Sequence, residues 1–364
     1  VRILVVNAGS STVKLSLLSS QDETLAEREL ETPGTAIDQR ELKSALAEGL
    51  ADADAVGHRI VHGGERFRDA VRIDRDVEAV LRELVDLAPL HQPKSLAALD
   101  AVSDALPDLP AVACFDTAFH ATLPEAAAMY ALPSEWRRRW GVRRYGFHGL
   151  SHAWVARHAP ELLCHRPAGL RIVSCHLGAG ASLCAIHNGR SIDTTMGFTP
   201  LEGLVMATRS GTVDPGLILW LLERTELSER RLANALEHDS GLLGLTGTAD
   251  MREVLANAAA GDRVAKLALE VYLHRLRAAI AAMTAALRGI DALVFTGGVG
   301  ERSPEIRARA VDGLAFLGLA IDGGANDRAA RDADVTAAGA AASSLVVRAR
   351  EDVEIARQTR LALA

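Results

Sequence analysis

The 364-residue sequence holds only four cysteines, Cys114, Cys164, Cys175 and Cys184, and no two of them share a C-x-x-C spacing. Three lie in apolar runs patterned like buried strands or a helix end, so they read as inert buried thiols and not as metal or redox groups. A reducing cytoplasm suits them. Positive charge is not in excess: 40 Lys and Arg against 47 Asp and Glu give a net charge of −7. That excludes the strongly basic face of a nucleic-acid binder. No apolar stretch reaches the roughly 20 residues of a membrane helix. The apolar strand pattern starts at once, so no cleavable leader is expected. No clean G-x-x-x-x-G-K-[ST] or G-x-G-x-x-G occurs, which disfavours a P-loop or Rossmann site. These absences leave a soluble cytoplasmic protein with no nucleic-acid or membrane partner. Its 49% apolar and 24% charged residues are ordinary for a globular chain, here long enough for two domains.

What is present begins with Leu4-Val5-Val6-Asn7-Ala8-Gly9-Ser10-Ser11-Thr12-Val13-Lys14. An apolar run, a small polar turn and an alternating run read as strand, tight loop and strand. Residues 171–186 repeat that plan around Gly178-Ala179-Gly180. Glycine and serine turns bring backbone N–H groups close to an occupant, which suits phosphate oxygens. Either turn alone is a weak signal, because most such turns are plain hairpins. Two alike suggest a duplicated unit holding a polyphosphate between its copies.

Between the two copies, Ala55–Val61 reads as a strand ending in His62-Gly63-Gly64, and Val77–Val85 as a helix closed by Pro89. A helix is expected after Pro93. Ala111–Phe115 reads as a buried strand that delivers Asp116 to its C-terminal edge, where ligands of open α/β sheets collect. Farther on, Asp214-Pro215 reads as a helix start, residues 261–289 as one long helix, and Ala292–Phe295 as a strand breaking into a turn over Thr296–Glu301. Pro304 opens a helix, and Glu351-Asp352 leads into the C-terminal one. Arg59 sits inside an apolar strand end, which favours an anion-facing fork over a surface role. His148 reads equally as a site residue or as a core histidine capping a turn, and His176 as a residue bonded to backbone.

Several segments then resemble the acetate kinase family, in order. They are Asn7-x-Gly-Ser-Ser, His58-Arg-Ile-Val-His-Gly-Gly-Glu65, Leu87-Ala-Pro-Leu-His91, Phe115-Asp-Thr-Ala-Phe-His120 and Arg144-Tyr-Gly-Phe-His-Gly149. Met196–Met206, Thr208–Gly211, Ser240–Gly244, Asp250-Met-Arg252, the Gly298–Glu301 turn and Glu351-Asp352 follow. The resemblance covers nearly the whole chain. It implies an α/β fold of two ribonuclease-H-like (actin-like ATPase) domains with a nucleotide cleft between them. Residues 1–120, joined by 353–364, would form the N-terminal domain, and 121–352 the C-terminal domain carrying most of the nucleotide pocket.

The implied reaction is reversible, direct in-line transfer of the ATP γ-phosphoryl group to acetate, giving acetyl phosphate and ADP, with Mg2+ or Mn2+, in a homodimer. By the same resemblance Asn7 and Glu351 are the metal positions and Arg59 binds the substrate carboxylate. Asp116, His148 and Arg209 are catalytic. Lys14, His176, Leu177, Gly178, Ala179, Gly180, Asp250, Met251, Arg252, Gly298, Val299, Gly300, Glu301 and Arg302 contact the nucleotide. Val61, Leu90 and Phe147 are candidate walls for the acid's alkyl group.

The chain departs from the family pattern at four places: Ala179 stands where the family commonly has Asn, Thr12 where it has Ser, Leu150 where it has Thr, and Thr212 where it has an acidic residue. Ala179 removes a side-chain donor from the phosphate turn. One further methylene on the acid discriminates by only about 1–3 kcal/mol, so a propionate or other short-chain acyl kinase is the alternative within the class. A non-catalytic actin-like nucleotide switch is the alternative outside it.

Overall fold

In the computed structural model, residues 1–9, 12–31, 38–88, 92–163, 168–330 and 332–364 are described. Ser10, Ser11, Pro33-Gly34, Pro89-Leu90-His91 and Cys164 lie outside them. Two compact units emerge: Val1–Ala121 with Phe147–Trp154 and Arg350–Ala364, and Thr122–Gly146 with Val155–Ala349. The division read from sequence differs chiefly at Phe147–Trp154. Leu150 packs there with Ile3, Val5 and Val112, and so belongs with the first unit's core.

The first unit's sheet comprises β1 (Ile3–Ala8), β2 (Thr12–Leu18), β3 (Thr24–Glu31), β4 (Ala55–Ile60), β5 (Val71–Arg72) and β6 (Ala111–Phe115). Their order is β3-β2-β1-β4-β6-β5. The hairpin partners β1, β2 and β3 are antiparallel, β1–β4 and β4–β6 are parallel, and β5 returns antiparallel to β6. Alternate residues of these strands feed two cores. Leu4, Val6, Leu15 and Val56 pack with Ala98, Ala101 and Val102 of the Gln92–Ala105 helix. Ile3, Val5, Val112 and Cys114 pack with Val353, Ile355 and Ala356 of the Glu351–Leu363 helix. That last helix lies so close on β4 that a Cβ at Gly57 would sit 2.3 Å from Thr359 Oγ1.

The second unit repeats the plan. It contains β7 (Arg171–Leu177), β8 (Ala181–His187), β9 (Arg190–Thr194), β10 (Ala292–Thr296), β11 (Ala333–Asp334) and β12 (Ser343–Val346). Their order, read in the matching direction, is β9-β8-β7-β10-β12-β11. The senses match strand for strand: β7–β8, β8–β9 and β11–β12 are antiparallel, β7–β10 and β10–β12 parallel. The Arg263–Leu287 helix starts on Asp262, whose carboxylate accepts from the Val264 and Ala265 N–H groups, and buries Leu269, Leu273, Leu276 and Ile280.

One expected turn is corrected. Gly297–Arg302 is a helix following β10 directly, not an open loop. Gly297 takes φ +78°, and a Cβ there would lie 2.9 Å from the Leu177 carbonyl oxygen, so close packing of β7 and β10 demands glycine at this bend. Cys114 and Cys175 are buried and free, and the buried Cys184 thiol bonds to Ser191 Oγ. Burial pushes the Cys114 thiol up to about 12 and raises those of Cys175 and Cys184 as well, so all three stay protonated near neutral pH.

Candidate functional site

In the first unit the sheet places three predicted residues side by side. Asn7 is near the C-terminal end of β1, Arg59 near that of β4, and Asp116 directly follows β6; these strands are consecutive and parallel. Arg59 donates from Nε to Asp116 Oδ1 at 3.0 Å and from Nη2 to Oδ2 at 2.6 Å. Its Nη1 donates to Asn7 Oδ1 at 3.2 Å, and Asn7 Nδ2 donates to Glu351 Oε2 at 3.0 Å. The four side chains thus form one hydrogen-bonded chain, Glu351–Asn7–Arg59–Asp116. Asp116 is 2% exposed and Arg59 14%, so the fork is held in a medium where an unpaired charge would be costly. Burial works against the charged guanidinium, but the Asp116 and Glu351 carboxylates outweigh it and hold the Arg59 pKa above its ordinary value.

His148 enters this unit through a tight bend. Its own φ is +55°, an uncommon value for a residue with a side chain. The bend is fixed from both sides. Gly149 donates its N–H to the Asp116 carbonyl at 2.9 Å, and a Cβ there would sit 2.1 Å from the same oxygen. Phe147 is buried and packs edge-on against His62, with ring centroids 5.6 Å apart. Backbone strain of this kind persists only where its surroundings over-determine it. Val61 and Phe147, the expected walls, are both buried in this unit, while Leu90 lies outside the described residues. Lys14, opposite Asn7 in the β1–β2 register, is exposed and pairs with Glu29 at 3.7 Å.

The donor set suits a hard cation. Mg2+ keeps several waters and usually takes one or two protein oxygens together with substrate phosphates. Glu351 and the Asn7 amide oxygen are such donors. No cluster of three or more His, Cys, Asp or Glu that could cage a metal occurs among the described residues, and this chemistry requires none.

In the second unit a cavity of about 1030 Å³ opens beside the C-terminal ends of β7 and β10. Of the expected nucleotide residues, Gly178, Ala179, Asp250, Met251, Arg252, Gly298, Val299 and Arg302 line it. His176, Leu177, Gly180, Gly300 and Glu301 do not. Leu177 is a buried strand residue, and the Glu301 carboxylate accepts from the Gly297 and Ala349 N–H groups at 2.9 Å each. Ala179 is exposed at the tip of its turn. Its carbonyl accepts from Ala207 N at 3.0 Å, and Gly178 N donates to Gly180 O at 3.0 Å. Asp250 caps the Met251–Ala259 helix and pairs with the exposed Arg252, which keeps the Asp250 carboxyl below its usual range.

Arg209 is also in the second unit. It lies 3.2 Å from Glu237 as an ion pair and donates to the Pro200 carbonyl at 3.2 Å. Burial pushes the Glu237 carboxyl up, outweighing the opposing Arg209 and His238 charges. The Thr208–Gly211 loop is tied to its surroundings: Thr208 Oγ1 donates to Glu237 O and Ser210 N to Leu236 O.

Sequence reasoning missed the buried partners of these groups. Glu237 lies on the amphipathic Glu229–His238 helix. Gln92, fully buried, accepts from His62 N and donates to His62 O, fixing the loop after β4. Tyr272 and Asn326 line the cavity from segments carrying no motif. None announces itself locally: Glu237, Gln92 and Asn326 each act on a residue distant in sequence.

Comparison with known proteins agrees with this fold. The family model described as the acetokinase family matches residues 35–357. An acetate kinase of Nostoc punctiforme is 43% identical over 397 aligned residues, covering 98% of each chain. Among solved structures, acetate kinase of Porphyromonas gingivalis superposes with a TM-score of 0.90 at 35% identity, covering 100% of both chains. A propionate kinase of Francisella tularensis superposes with a TM-score of 0.90 at 36% identity and 98% coverage of both.

Proposed function

The chain belongs to the acetokinase family, and from that premise we propose that it transfers the γ-phosphoryl group of ATP reversibly to acetate, forming acetyl phosphate and ADP. Family membership makes it a kinase. The observation that carries it is the partly buried Glu351–Asn7–Arg59–Asp116 chain, three members of which stand at the ends of parallel strands.

Phosphoryl transfer needs in-line positioning and relief of negative charge more than covalent help. Arg59 offers a planar fork to the acceptor carboxylate. An acetate oxygen is already ionised near neutral pH, so attack requires no general base. Asp116 then acts by fixing the Arg59 plane. Arg209 and His148 supply donors toward the charge that develops on the phosphoryl oxygens. The cavity beside β7 and β10 takes the nucleotide. Mg2+, or Mn2+, would be held by Asn7 and Glu351, and would neutralise phosphate charge when bound.

A propionate kinase matches as well as an acetate kinase at the level of overall fold. Acceptor size is therefore decided by pocket walls such as Val61 and Phe147 and not by architecture. Comparing kcat/KM for acetate and propionate with ATP tests the choice: acetate is expected to be preferred, and a higher value for propionate reverses it. ATP binding without transfer to either acid would support a nucleotide switch instead.

We also propose a homodimer. The Pro215–Arg224 helix buries none of its residues, and Leu217, Leu219 and Trp220 are 45%, 61% and 55% exposed. An apolar helix left bare in this way is a surface that a second copy would cover. The buried thiols fit a reducing compartment, and no helix among the described residues is long and apolar enough to cross a membrane. We therefore place the protein in the cytoplasm.

A further inference from the structure

Arg307 heads the largest fully buried side chains, with an exposure of 0%. Among the described residues it forms no ion pair. Its donors go instead to neutral oxygens: Nε to Asn326 Oδ1 at 2.7 Å, Nη1 to Gly300 O at 2.9 Å and Glu301 O at 2.8 Å, and Nη2 to Asn326 O at 2.8 Å. Asn326 in turn donates from Nδ2 to the Pro304 carbonyl at 2.9 Å. One guanidinium thus ties together the Gly297–Arg302, Pro304–Asp312 and Gly323–Arg328 helices. All three contribute to the wall of the second unit's cavity, through Gly298, Val299, Arg302, Pro304 and Asn326. Burial lowers the Arg307 pKa, with only Asp327 opposing.

A buried cation is a poor way to gain stability, since well-packed apolar replacements are often neutral or better. A rigid planar fork is a good way to fix several carbonyls in one geometry. The wall it fixes needs fixing, because Gly297-Gly298-Val299-Gly300 is a sequence with low intrinsic helix preference. We infer that Arg307 is a positioning residue for the nucleotide: it holds the glycine-rich wall of the cavity in its binding shape without touching the ligand. This rests on the reading of that cavity as the nucleotide site.

The test uses the full chain. Dissociation constants for ADP are measured by calorimetry for the wild type, Arg307→Met and Arg307→Lys, alongside acetate KM, thermal midpoint and amide hydrogen exchange across residues 297–304. ADP binding is expected to weaken by about tenfold or more in Arg307→Met, and by less in Arg307→Lys, which keeps the charge but not the fork. Acetate KM should stay within about twofold, and exchange should rise over 297–304 in the unliganded protein. Should Arg307→Met fail to fold, Arg307→Lys carries the same comparison. A folded variant that binds ADP as the wild type does and keeps wild-type exchange overturns the inference. So does a parallel worsening of ADP binding, acetate KM and thermal midpoint, which would mark a general structural role. Wild-type protein that binds no ADP overturns the cavity's assignment instead, and the exchange comparison then still decides whether Arg307 orders the wall.

Discussion

At the scale of single residues, Asp116 and Ala179 carry the clearest consequences. Asp116 offers two oxygens to one buried arginine. Asp116→Asn keeps the shape but removes the carboxylate paired with Arg59, leaving Glu351 to offset its charge. Removing one partner of such a pair costs about 3–5 kcal/mol. Asp116→Asn is therefore expected to lower both the thermal midpoint and kcat, and near-normal turnover with unchanged magnesium dependence would refute Asp116's role. Ala179 exposes its side-chain position at the tip of the turn while its carbonyl is anchored to Ala207. An asparagine there would gain a donor without disturbing the backbone. One aimed donor is worth around 2–4 kcal/mol of transition-state stabilisation, so Ala179→Asn should raise kcat more than it changes acetate KM. An unchanged kcat would show that water or backbone already fills that place.

At the scale of elements, β4 is the strand that most constrains the first unit. It carries Arg59 on one side and the buried His58 on the other, and leads into His62. Burial pushes His58 down to about 3 and His62 to about 4, against an ordinary 6.5. Between those values and 6.5 the unfolded chain binds protons that the folded chain refuses, so stability rises with pH there and is lost as pH falls below 6.5. Unfolding midpoints at pH 7.5, 6 and 5 should decline, and decline less steeply in His58→Leu. Parallel profiles would show that His58 does not set this pH dependence.

The elements also show what could be read in advance. Strand, glycine turn and strand are local patterns, so Asn7, Arg59 and Asp116 fell at strand ends as expected. The Gly297–Arg302 helix was not legible, since glycines argue against helix and the ties that impose it come from Arg307 and the Glu301 carboxylate. Gln92 and Glu237 were hidden for the same reason: a buried polar partner leaves no periodicity in its own segment.

At the scale of the whole molecule, the two sheets have one strand order and one set of senses, yet their strand ends carry different chemistry. The first has charged side chains joined in a chain, the second a cavity beside glycine-rich backbone. The duplication was visible because both hairpins kept their turn residues, whereas the division of labour needed the contacts. The bare Pro215–Arg224 helix belongs to this scale too. Light scattering should give a dimer for the wild type and a shift toward monomer for Trp220→Glu. An unchanged dimer in the variant would place the interface elsewhere.

The activity proposed for this chain is transfer of a phosphoryl group from ATP to a short carboxylate. Mixing enzyme, magnesium, γ-labelled ATP and acetate, then trapping the product with hydroxylamine, tests it most directly. The expected result is acetohydroxamate, formed as hydroxylamine displaces the labelled phosphate from acetyl phosphate, in step with ADP and reduced by orders of magnitude in Arg59→Ala. Labelled phosphate and ADP released without any hydroxamate, or label retained on ATP with saturating acetate and propionate alike, would refute this transfer.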